Sequence, residues 1–259
     1  MCGFLSAIVK KDGEVLWDDS CHSHEDLIDR FHLRDDNYVW FIEGYTQFIR
    51  VEYTNDDDVF DLDTYYLHID EEVVPSWFTE EMQERTIEKL KNLVKRQVRI
   101  DESIDILLGG GTYYLKDCRI GRIVNARIAV MKNCQASKVI DTQIDFVEDS
   151  HITYAEDSTL RYLRGETKIG TLVSSRVEAM SRISQIEIAR ESYIGHMKDH
   201  SKINRLEYGT YVWFMEGYST VGTLSEGGVI FSNQDGGRIE VERNGGVIIH
   251  RRVKDEEEE

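Results

Sequence analysis

Cys2, directly ahead of Gly3, is the residue whose placement points most sharply to covalent chemistry. Removal of Met1 sets its thiol beside its own α-amine, which can act as base, and that pairing supports hydrolase or amidotransferase chemistry. The competing reading is a cysteine packed into the first strand. Cys21, His22 and His24, with Glu25, carry atoms that ligate transition metals, but their i, i+1, i+3 spacing arranges three ligands poorly around one ion. Asp56, Asp57, Asp58, Asp61 and Asp63 gather carboxylates without the glycine and closing glutamate of a calcium loop. The Gly-Gly pairs starting at 227, 236 and 245 lack the further glycine and aspartate of calcium-binding nonapeptides. Gly109-Gly110-Gly111 lacks the lysine and helix of a phosphate-binding loop. The expectation is a chain with no metal and no cofactor.

Whatever site exists must be positioned by a repeat. Small residues recur every eight or nine positions, as Thr142, Ser150, Ser158, Thr167, Ser175, Ser184, Ser192, Ser201, Thr210 and Ser219. An aliphatic follows two residues later (Ile144, Ile152, Leu160, Ile169) and an apolar residue five later (Val147, Ala155, Leu163, Leu172). Positions i and i+2 share one face of a strand, and the step of three breaks that alternation at a corner. Strand and corner repeated without a helical period predict a parallel β-solenoid. From Ser150 to Ser201 the steps alternate, so every second mark falls 17 residues on. The expected coil is therefore two repeats of eight or nine residues. Gly110, Cys118, Ala126 and Cys134 extend the array upstream, and Gly228, Gly237 and Gly246 extend it downstream. The coil thereby widens from 16 to 18 residues, and 17 marks make about eight coils, a rod on the order of 40 Å. At Asn233, Glu242 and Arg251 the inward apolar position turns polar, which predicts a terminal cap or contact surface.

Charge divides unevenly. Residues 1–107 carry 26 acidic and 11 basic side chains, and the tail 255–259 is wholly acidic, leaving residues 108–254 at about +2 of a total of -18. An acidic first domain repels nucleic acid and anionic membranes and favours a partner with a basic surface. No apolar run reaches membrane-spanning length, and the start lacks the basic region and cleavage site of a secretory signal. Four cysteines without framework spacing suit a reducing cytoplasm. Cys118 and Cys134 occupy the slot that serine fills elsewhere and read as small core residues.

Before the array, residues 4–9 and 14–17 read as a hairpin, Ser23 caps a helix to about Leu33, and strands follow near 47–53 and 64–70. A helix from about Ser76 to Val98 follows Pro75, with Phe78, Met82, Ile87, Leu90, Val94 and Val98 as its stripe. The expected division is an acidic α+β domain over 1–107 capping one end of a solenoid over 108–254, with a tail over 255–259. The motifs FLSAIV (4–9), SHEDLI (23–28), LRDD (33–36), FIRVEY (48–53) and IDEEVVPSWF (69–78) resemble those of a family of uncharacterised phage and prophage proteins. Members join such a domain to short Ser-Thr-Val repeats. The resemblance implies an accessory protein of a mobile element and carries no activity. The MCG start is also similar to that of class II glutamine amidotransferases, but no substrate-binding motif of theirs follows. Residues 38–45, YVWFIEGY, nearly duplicate 211–218, YVWFMEGY.

On one register of the array, outward positions hold Phe146, Tyr162, Tyr193, Tyr211, Trp213 and Phe214. The other register offers His151, Lys168, Lys202 and Arg205. A two-repeat coil collects the aromatics on one flank, and an exposed aromatic stripe marks an interaction surface. Strand surfaces favour aromatics in any case, which is the competing reading. The expected function is non-enzymatic binding of a host or defence protein along that flank. The alternatives are a self-associating or virion-linked solenoid, pairing through its C-terminal coils, and a Cys2 enzyme.

Overall fold

The computed structural model describes residues 5–18, 21, 23–33, 47–55, 58–233, 237–242 and 246–249. The chain divides into two compact units, Met1–Val98 and Arg99–Glu259. In the first, β1 (Leu5–Lys10) turns through Gly13 into β2 (Val15–Leu16), and β3 (Phe48–Thr54) and β4 (Tyr66–Ile69) complete a sheet of order β2-β1-β3-β4. Ser23 caps α1 (His24–Arg30) by accepting the Asp26 N–H at 3.1 Å. Helix α2 (Glu80–Gln97) starts later than its apolar pattern suggests. Pro75–Phe78 closes instead as a turn, Phe78 N–H to Pro75 carbonyl at 2.9 Å, and Thr79 becomes the cap. Along the helix Thr86, Leu90 and Val94 are buried and Ile87 is partly exposed.

The second unit is a parallel β-solenoid of about eight turns spaced by about 17 residues. Its strands run from β5 (Val98–Ile100) through β6 (Ser103–Leu108), β7 (Thr112–Lys116) and β8 (Arg119–Val124) to β22 (Arg238–Glu242) and β23 (Val247–Ile248). Odd-numbered strands form a sheet of 10 strands and even-numbered ones a sheet of 9, so each coil contributes one strand to each. The widening is visible in the pairing. Gln135 lies beside His151, His151 beside Lys168, and Lys202 beside Thr220, steps of 16, 17 and 18 residues. The sheets begin upstream of 108. In β6 the small mark is replaced by Glu102, and Ile106 and Leu108 point their apolar side chains outward, so this first coil does not read as a repeat.

Both inward positions of each repeat are fully buried, from Ile120 and Ile123 to Val221 and Leu224. No single coil encloses enough apolar surface to stand alone, so stacking supplies the core. Ile239 and Ile248, in the last two strands, are only partly buried. The side chains of Asn233, Glu242 and Arg251 lie outside the described residues.

The corners explain the small marks. An eight-residue repeat is a six-residue strand and a two-residue corner. The first corner residue adopts left-handed backbone, with φ between 49° and 57° at Asp117, Asn125, Asn133, Asp141, Asp149 and Asp157. Asp and Asn tolerate that region better than other residues with a Cβ. Its N–H then reaches a carbonyl one coil on, as Asn133 does to Glu148 at 3.0 Å. The second corner residue is the buried mark. Ser158 Oγ donates to the Glu156 carbonyl at 2.7 Å and accepts the Thr142 N–H at 3.2 Å. Ser175 Oγ likewise donates to Val173 at 2.6 Å and accepts from Ser158 N–H at 3.0 Å. Each hydroxyl thus joins two coils.

The nine-residue repeats ending at Ser184 and Ser201 break this ladder. The extra residue makes a β-turn that consumes the mark's own N–H: Ser184 bonds Ser181 at 3.3 Å and Ser201 bonds Lys198 at 3.2 Å. The hydroxyls of Ser201 and Ser219, one coil further on, then have no mark N–H to accept. Both are buried without a partner, as is that of Thr210. Replacing Ser158 or Ser175 by Ala should cost about 1–3 kcal/mol, because each strands a buried N–H. Ser201→Ala and Ser219→Ala should leave stability unchanged or raise it. Denaturant titrations of the four variants check the contrast, and equal losses at all four would contradict it.

Candidate functional site

The six aromatic residues on the expected flank all lie on the outer face of the ten-stranded sheet. Phe146 on β11 (Gln143–Glu148) pairs in register with Tyr162 on β13 (Thr159–Arg164). Their rings stack at 5.2 Å, and the Arg164 guanidinium covers Phe146 at 4.7 Å. Tyr193, on β17 (Tyr193–Met197), is covered by Arg176 at 4.8 Å. These three rings have their faces largely occupied.

Tyr211, Trp213 and Phe214 on β19 (Tyr211–Met215) differ. They are 43%, 43% and 36% exposed, Phe214 no more so than Tyr162, but they lie together on one strand and no arginine among the described residues covers them. Trp213 packs at 4.7 Å on Phe231 of β21 (Val229–Asn233), whose Val229 sits beside Tyr211 in register. His196 borders the cluster at 5.8 Å from Phe214 and pairs with Glu216 at 3.1 Å. Val247 and Ile249 add exposed apolar surface at the last strand of the sheet. Phe231, Val229, Val247 and Ile249 were not in the expected set. Their signal was present as the same outward columns one and two coils beyond Tyr211 and Trp213.

Toward the other end the same face is ionic. Asp145 lies between Arg127 at 3.9 Å and Arg161 at 3.4 Å, and Glu178 between Arg161 at 3.7 Å and Arg176 at 3.8 Å. Exposed pairs of this kind contribute little individually, but they set a polar background against which the aromatic cluster stands out.

The chemistry-capable residues are dispersed. Cys2, His22, Asp56, Asp57 and residues 38–45 lie outside the described residues. His24 is buried, and both ring nitrogens face acceptors, Nε2 the Val51 carbonyl at 3.1 Å and Nδ1 the Asp70 carboxylate at 3.2 Å. It braces the first sheet and has no nitrogen free for a metal. Among the described residues, no group of three or more His, Cys, Asp and Glu side chains is arranged to hold a metal ion, and no helix is long and apolar enough to cross a membrane. Cys118 and Cys134 stand on adjacent rungs of the corner ladder, with Cys118 N–H donating to Cys134 Sγ at 3.3 Å. The neighbouring Cys134 thiol draws the Cys118 thiol down to about 7, and its own is pushed up by the same contact and by burial.

No family model matches the chain, and comparison with the curated proteins and with the solved structures returns no match either.

Both ladder thiols are 1% exposed. Access should therefore override acidity. A bulky disulfide reagent should leave Cys118 and Cys134 unmodified in the native protein and label both on unfolding, as read by peptide mass spectrometry. Native labelling of Cys118 would show that its coil opens.

Proposed function

We propose that the chain is a non-enzymatic binding module whose protein partner docks on the apolar end of the ten-stranded sheet. One observation carries this reading: Tyr211, Trp213, Phe214 and Phe231 form a contiguous aromatic cluster at one end of an outer face whose other aromatics, Phe146, Tyr162 and Tyr193, sit among arginines and ion pairs. Large flat aromatic side chains bury much area on binding at little entropic cost, and such clusters dominate interface energetics. The acidic first unit and tail favour a partner with basic surface, by speeding its encounter. The resemblance to phage and prophage proteins supplies the setting, a mobile-element protein that occludes a host or defence protein in the host cytoplasm.

A second reading has its own support. Val247 and Ile249 are exposed beside strands whose inward residues Ile239 and Ile248 are only partly buried. That end would suit self-association, with the partner a second copy.

The test begins with the triple variant Tyr211→Ser, Trp213→Ser, Phe214→Ser and a control on the opposite sheet, Lys168→Ser, Lys202→Ser, Arg205→Ser. A partner captured by the parent chain and then purified should bind the aromatic variant about 100-fold more weakly, which is about 2.7 kcal/mol, and the control within a few-fold. Undiminished binding by the aromatic variant would overturn the reading. Light scattering of the parent chain separates the second reading. A concentration-dependent dimer abolished by the aromatic variant assigns the face to self-association.

A further inference from the structure

The opposite sheet carries a different surface, and we infer from it a binding groove for a short, linear, carboxylate-bearing oligosaccharide. The groove runs along the solenoid axis over β6, β8, β10 (Gln135–Ile140) and β12 (His151–Glu156), and β14 (Lys168–Val173) is the next strand of the sheet. One wall is the outward column that opens each strand: Arg119, Gln135, His151 and Lys168, in register with one another at successive coils. Next to the groove runs a second outward column, Ile106, Arg122, Lys138 and Tyr154. The floor beside the first column is Asp105, Gly121, Ser137 and Thr153. A Cβ at Gly121 would stand 2.5 Å from the Asp105 carbonyl, so close stacking demands bare backbone there, and the floor stays open as a result.

Charge identifies the ligand's sign. The side chains of Arg119, Arg122 and Lys168 are exposed and make no ion pair or hydrogen bond among the described residues. Lys138 is paired with Glu156 at 3.6 Å, and Asp105 is the carboxylate at the first coil of the groove. Arg119 and Arg122 on β8 and Lys168 three coils further on, roughly 14 Å away at the usual strand spacing, place unpaired cations at two points along the axis, which suits an extended anion laid along it. Most of the chain's acidity resides elsewhere, since residues 108–254 are close to neutral and the groove's first strand adds Asp105.

The remaining groups choose among anions. Single-stranded nucleic acid needs open aromatic faces for base stacking. The one ring here, Tyr154, already has Lys138 over it at 5.0 Å. An acidic peptide gains affinity by adding to a sheet edge and by filling apolar pockets, whereas this is a sheet face lined by Gln135, Ser137, His151 and Thr153. A row of hydroxyl, amide and imidazole groups matches the hydroxyl-rich surface of a sugar, and the guanidinium groups match its carboxylates in bidentate fashion.

Titration calorimetry of the full chain with tetragalacturonate, with its neutral tetragalactose counterpart and with a thymidine tetranucleotide tests the assignment. Saturable binding of tetragalacturonate is expected. It should weaken at least tenfold in Arg119→Gln with Lys168→Gln, and at least tenfold in Ser137→Phe, which fills the floor, while melting of both variants stays at the parent value. The neutral sugar should bind at least tenfold more weakly. The triple aromatic variant should bind tetragalacturonate normally, so this inference and the proposed protein interface fail independently. Absent uronate binding, binding indifferent to these variants, or a tighter and equally variant-sensitive tetranucleotide complex would each overturn it.

Discussion

Everything in the second unit depends on how a corner satisfies its buried backbone. A corner in a solenoid turns polar groups toward an apolar interior, where an unpaired N–H is costly. The eight-residue repeats solve this with one small hydroxyl. Ser150, Ser158 and Ser175 each donate to a carbonyl of their own corner and accept an N–H from the coil before. Cys134 extends the same column with sulfur in place of oxygen. The left-handed residue before each mark, Asp149 and Asp157 at the first two and Ser174 at the third, supplies the turn that aims these groups along the axis. Two residue choices per repeat therefore fix both the corner angle and the stacking register.

With the backbone and inward positions committed in this way, the outward positions are free to vary, and the two sheets have diverged. One face grades from an ion-pair ladder around Asp145 and Glu178 to an exposed aromatic cluster at Trp213. The other opens a groove of small residues beside cationic columns. The aromatic cluster lies on the coils whose corner hydroxyls have lost their partners, at Ser201, Thr210 and Ser219. Binding surfaces recurrently occupy the less stable parts of a fold, where adjustment to a partner costs least.

Much of the solenoid was legible because its chemistry is local and periodic. Ile152, Ile169, Ile186 and Ile203 announced one column, and the structure places them in one register. The first coil was not legible, because Glu102 replaces the small mark and Ile106 faces outward. The Asp and Asn of the corners preceded six consecutive marks and were a readable signal that the small residues overshadowed. The split of the aromatic flank was a matter of neighbours. That Arg164 and Arg176 cover Phe146 and Tyr193, while Trp213 packs on Phe231, follows from side chains one coil apart and is invisible to spacing alone. The helix start at Thr79 depended on a turn at Pro75, which outweighed an apolar stripe reaching back to Phe78.

Residue-resolved native-state hydrogen exchange probes the corner ladder directly, because the ladder's donors are themselves backbone amides. The amides of Cys134, Thr142, Ser158 and Ser175, each bonded to a hydroxyl one coil on, should be among the slowest in the second unit. Protection should fall at least tenfold across the coils beyond Ser201, where the hydroxyls are unpartnered. Uniform protection from Cys134 through Leu224, or slowest exchange in the C-terminal coils, would contradict a structure held by its corner hydroxyls.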